Sequence, residues 1–83
     1  MYELLLLPAA QKDLDNLEAP VFARILKKIR ALSKDARPPG CLKLTDEDEY
    51  RIRTGDYRIL YRIDDALKRI YIYRIKHRKD VYS

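Results

Sequence analysis

The 83-residue chain predicts a small α+β fold: an N-terminal strand, a helical hairpin, then an antiparallel three-stranded meander, with the helices packed on one face of the sheet. Three observations lead there. Apolar residues recur at intervals of three and four across the first part of the chain, the period changes to strict alternation from Tyr50, and a Gly55-Asp56 pair interrupts that alternation where a hairpin would turn.

Tyr2 to Leu7 reads as a short strand apolar enough to be buried on both faces, and Pro8 closes it while suiting the first position of a helix. Ala10, Leu14 and Leu17 follow at helical spacing. Ala19-Pro20 ends that helix and opens a second, with Phe22, Ile25, Leu26, Ile29 and Leu32 along one side. Lys27, Lys28, Arg30 and Lys34 fall mostly on the opposite side and read as a solvated surface without chemistry. Asp35 to Lys43 contains Pro38-Pro39-Gly40 and reads as loop. Tyr50 to Thr54, Tyr57 to Ile63 and Arg69 to Ile75 then read as three strands, joined by Gly55-Asp56 and by a turn around Asp64-Asp65.

With 47% hydrophobic and 37% charged residues, the composition is that of one folded domain over residues 1–83. The longest apolar run, Leu4 to Leu7, is too short to span a bilayer or drive secretion, so the expected address is the cytoplasm, with no membrane partner. One cysteine, Cys41, and one histidine, His77, make no zinc ligand set, and the acidic run Asp46 to Glu49 has no calcium-loop spacing. It reads as a solvated loop that screens the neighbouring arginines, and no metal or cofactor is expected.

The net charge of +5 is unevenly placed: residues 1–49 hold eight Lys/Arg against nine Asp/Glu, and residues 50–83 hold ten against four. Such asymmetry favours a polyanionic partner. A two-residue loop at Gly55-Asp56 sets Arg53 opposite Arg58, Ile52 opposite Ile59, Arg51 opposite Leu60 and Tyr50 opposite Tyr61. One face then carries Tyr50, Ile52, Tyr57, Ile59, Tyr61 and Ile63 as core, while Arg51, Arg53, Arg58 and Arg62 share the other. Like charges directly opposite cost on the order of a few tenths of a kcal/mol. A bound phosphodiester would explain the arrangement, since guanidinium forks fit phosphate and can stabilise its rising charge in a transition state; mutual stacking of the forks, or pairing with the acids of residues 45–49, is the alternative.

The tail "KHRKDVYS", residues 76–83, adds a second basic group. His77 lies in a polar run, where it either moves protons or merely fills surface. Tyr82 caps the core, stacks on a base or orients the reacting group. RNA cleavage needs no metal when the 2′-hydroxyl beside each phosphate is aligned as an internal nucleophile.

In "YRIRTGDYRILYRI", residues 50–63, and "HRKDVY", residues 77–82, the chain resembles the RelE/ParE superfamily of bacterial and archaeal toxins, specifically RelE-type ribosome-dependent mRNA interferases. The resemblance covers essentially the whole chain. It implies a small sheet carrying a helical hairpin, cleavage of messenger RNA in the ribosomal decoding site by 2′-hydroxyl attack, and inhibition by a cognate antitoxin. By position it assigns the second-strand basic residues to Arg51 and Arg53, the third-strand arginine to Arg58, the tail arginine to Arg78 and the near-terminal tyrosine to Tyr82. Arg62, Lys76 and Lys79 complete the expected phosphate-binding set. Where well-studied members carry second-strand lysines, one of them a candidate base, this chain carries arginines, which stay protonated. Base duty then passes to His77 with Tyr82 assisting. Lys76 stands where the family often has glycine. Two other functions compete: a ParE-like poison of DNA gyrase, although such chains commonly lack this basic hairpin and tail, and an inactive scaffold that only binds antitoxin or RNA.

Overall fold

The computed structural model describes residues 1–82, with side chains as far as Asp80. Alternation in residues 49–64 forms two long strands, β3 (Glu49–Thr54) and β4 (Tyr57–Asp64), in the register the spacing predicts, with Thr54 opposite Tyr57 and Arg53 opposite Arg58. Gly55 takes φ of +59°, and Asp56 does not share the positive φ. That is the pattern of a type II′ turn, whose twist matches the strands it joins.

β5 (Arg69–His77) continues the meander antiparallel to β4. β1 (Glu3–Leu6) lies parallel to β5 on its other side, with Glu3 opposite Arg69 and Leu6 opposite Ile72. The loop reading of Asp35 to Lys43 is corrected at its end: Leu42–Lys43 forms β2, antiparallel to β3, giving a five-stranded sheet in the order β1-β5-β4-β3-β2. Two residues are too few to display alternation, and backbone pairing, extended by the Leu44 N–H donating to the Glu49 carbonyl at 2.7 Å, holds them in place.

The β4–β5 register shifts between Leu60 and Tyr61: Leu60 faces Arg74 whereas Tyr61 faces Ile72, so Tyr73 is the extra residue of a bulge. Without it, Ile75 would fall on the opposite face from Ile70 and Ile72. With it, all three are buried. They join Tyr50, Ile52, Ile59, Tyr61 and Ile63 beneath α1 (Pro8–Asp15) and α2 (Ala19–Ala31), which contribute Ala10, Leu14, Ile25 and Ile29. Each such isoleucine stabilises the fold by about 1.5–3 kcal/mol through removal from water. Tyr61 is fully buried and donates its hydroxyl proton to the Ala36 carbonyl at 2.9 Å, and burial pushes its phenol above the usual range. Both helices thus lie on one face of the sheet. Among the described residues no helix is long and apolar enough to cross a membrane.

Candidate functional site

Sheet register builds the uncovered face in rows. Arg53, Arg58 and Lys76 stand side by side across β3, β4 and β5, and the next row on that face is Arg51, Leu60 and Arg74. Arg53 is exposed, Arg51 half-buried, and Arg58 only 6% exposed. Among the described residues, the buried Nε and Nη1 of Arg58 have no hydrogen-bond partner. A buried guanidinium left unpaired is costly, and an anion would relieve the cost. Beside it opens a cavity of about 140 Å³ lined by Arg53, Gly55, Asp56, Tyr57, Arg58 and Arg78.

Arg78 reaches this cavity because the chain turns back after β5. A short 3-10 segment (Arg78–Tyr82) follows the strand, and its first N–H, that of Arg78, donates to the Asp56 carbonyl at 2.7 Å. The side chains of the two residues approach to 3.8 Å, both well exposed, so this ion pair leaves the Arg78 fork open to another anion. Hairpin tip and tail therefore meet at one place.

His77 faces the other way. It lies opposite Tyr57 on the face that continues the core, its ring edge-on to that tyrosine at 5.0 Å. Its backbone N–H donates to Asp80 Oδ2 at 3.3 Å, and its Nδ1 accepts the Lys79 backbone N–H at 3.2 Å. With Nδ1 accepting, the neutral ring carries its proton on Nε2, which is then a donor. Lys79 is exposed beside it. Arg62 is not brought to the cavity: it lies four residues along β4 from Arg58, about 13 Å at the usual strand rise, with its guanidinium over the Tyr71 ring at 5.5 Å. The Tyr82 side chain lies outside the described residues.

Two groups that the sequence pattern does not single out contact β5 and the hairpin turn. Asp13, on α1, accepts from Arg74 at 2.8 and 3.2 Å and from the Ile75 N–H at 2.9 Å, supporting β5 past the end of β1 and next to Lys76. Burial opposes its ionisation, but the Arg74 fork and the Ile75 N–H outweigh it and hold the carboxyl below its ordinary value. Arg24, on α2, lies against Gly55 so closely that a Cβ there would sit 2.8 Å from its Nη2. Both contacts join residues far apart in the chain, and no local pattern announces them. The acids of residues 46–49 are not the partners of Arg53 or Arg58: Asp48 faces Arg37 and Lys43 at 3.9 and 3.8 Å. At that opposite end of the sheet Arg37 also holds Asp65 at 2.8 Å, and this bond, with a second from the Tyr2 hydroxyl, keeps the Asp65 carboxyl at about 2.

Residues 4–82 match the family described as ParE toxin of type II toxin-antitoxin system, parDE. The chain belongs to this family, within the RelE/ParE superfamily of toxins. It is 33% identical over 75 residues to Toxin RelG of Mycobacterium tuberculosis, covering 88% of this chain and 86% of that one. Its fold superposes on the archaeal RelE–RelB complex from Pyrococcus horikoshii with a TM-score of 0.84 at 30% identity, covering 93% of this chain and 94% of that one. On the toxin–antitoxin complex RelBE2 from Mycobacterium tuberculosis the TM-score is 0.80 at 29% identity, with 92% and 96% covered. A RelE/ParE toxin thus carries its unpaired arginine at the hairpin tip, with the helices on the far side of the sheet.

Proposed function

We propose that this toxin is an endoribonuclease that cleaves messenger RNA in the ribosomal decoding site, without a metal, and is held inactive by a cognate antitoxin. The observation that carries the reading is Arg58, buried and unpaired beside a cavity that Arg53 and Arg78 also line. A phosphodiester seated there would satisfy the orphaned Nε and Nη1. The three forks would stabilise the charge that builds on the phosphoryl oxygens as the RNA 2′-oxygen bonds to phosphorus and the bond to the 5′-oxygen breaks.

One proton must leave the 2′-hydroxyl and one must reach the departing 5′-oxygen. His77 is suited to the second task through a protonated Nε2, but only once its ring turns from Tyr57 toward the cavity; acting as base would further require Nδ1 to release the Lys79 N–H. Arg51, Lys76 and Lys79 belong to the flanking phosphate contacts, and Tyr82 to orientation of the reacting group. The antitoxin follows from relatives whose structures are toxin–antitoxin complexes, and a basic face of this kind favours an acidic covering segment.

Induced expression followed by primer extension on cellular messages tests the reading. Codon-phased breaks within translated regions are the expected result. Intact messages together with inhibited supercoiling would instead establish a gyrase poison, and an Arg58→Ala variant as toxic as the parent would remove the site. His77→Gln tests the proton donor alone: cleavage is expected to fall while RNA binding persists.

A further inference from the structure

We propose that Arg24 forms a second phosphate-binding position, gripping the phosphodiester next to the one held in the Arg58 cavity as the RNA strand passes over the hairpin tip; this rests on the nuclease reading above. Arg24 belongs to α2 on the covered side of the sheet, yet its guanidinium reaches the turn. A Cβ on Gly55 would stand 2.8 Å from Nη2, 3.2 Å from Cζ and 3.7 Å from Nε. Gly55 also lines the cavity shared by Arg53, Arg58 and Arg78. Gly55 thus meets both the Arg24 fork and the site.

Arg24 is exposed, and among the described residues it makes no ion pair or hydrogen bond. Four guanidinium groups, those of Arg24, Arg53, Arg58 and Arg78, crowd around Gly55 and Asp56. Among the described residues that line the cavity the one carboxylate is Asp56, which already faces Arg78 at 3.8 Å. Such an excess of positive charge is relieved by a ligand with several negative charges at regular spacing, and forks set around one turn fit successive phosphates of one strand better than a lone anion. The glycine serves the contact twice: its positive φ makes the turn, and its missing side chain lets the Arg24 fork approach.

The test is binding of the full chain to a short single-stranded 2′-O-methyl RNA, whose blocked 2′-oxygen prevents cleavage, measured by fluorescence anisotropy over a salt series. Arg24→Gln alters an exposed side chain, so the fold is retained. It is expected to weaken binding to every sequence alike and to lower the slope of log affinity against log salt by about 0.7, the increment for one phosphate of a single strand. Lys34→Gln removes the same charge beyond the far end of α2 and is expected to leave the slope unchanged. An unchanged slope for Arg24→Gln, or equal losses in both variants, would overturn the second position. A parent that cleaves translated messages but does not bind the probe would overturn the Arg24 position and leave the nuclease standing, whereas a parent that does neither would overturn both.

Discussion

The Arg78 backbone N–H donates to the Asp56 carbonyl at 2.7 Å, so the segment after β5 is pinned to the tip of the β3–β4 hairpin by main chain rather than by charge. Arg78→Pro removes that donor at the first position of a 3-10 segment, where proline is otherwise tolerated. Urea unfolding is expected to register a loss of about 1 kcal/mol, with Arg78→Ala, which keeps the N–H, losing less. Cleavage is expected to fall in both variants, because one loses the position of the fork and the other the fork itself.

In the proposed nuclease, Arg58 exchanges stability for chemistry. Replacing its buried, unpaired guanidinium by the similarly long but apolar Met is expected to raise stability by on the order of 1 kcal/mol. In the same variant, cleavage is expected to drop by on the order of 10²–10³-fold, as when one stabilising donor is removed from a transition state. Melting curves and cleavage rates measured on one preparation check both halves.

Asp13 links α1 to the part of β5 that β1 leaves unpaired. Asp13→Ala orphans the Ile75 N–H and the Arg74 fork together and is expected to cost about 1–3 kcal/mol. Asp13→Asn retains an acceptor for the Ile75 N–H and is expected to recover part of that loss. The difference between the two variants in urea midpoint is the measurement.

Acid unfolding has a named contributor at the opposite end of the sheet. The Asp65 carboxyl is held at about 2 in the folded chain by the Arg37 fork first and the Tyr2 hydroxyl second, below its ordinary 3.8. A folded-state value below the unfolded one gives stability that is fully present above the unfolded value and lost as pH falls through the folded one. Loss from this group is therefore expected between about pH 4 and 2, and Asp65→Asn is expected to flatten the pH dependence of the urea midpoint across that window.

The hairpin was legible because two alternating runs flank a Gly-Asp pair, which fixes both turn and register: Arg53 stands opposite Arg58 as the spacing requires. The helices were legible from their apolar stripes. Other features had no local signature. Strand β2 is too short to show a period, and the extra residue at Tyr73 is apparent only once Ile75 is found buried beside Ile72. Alternation puts Arg58 on the uncovered face, as observed, but alternation carries no information about depth, so its burial could not be read. Asp13 and Arg24 act on residues supplied by a different layer of the fold, and only packing reveals such pairs.

Placing β5 between β1 and β4 also dictates when the molecule can exist. Glu3 finds its sheet partner in Arg69, 66 residues later, so the first strand and both helices have no complete floor to rest on until β5 is in place. A chain cut short before β5 therefore lacks the strand that joins β1 to β4 and cannot set Lys76 beside Arg58 and Arg53.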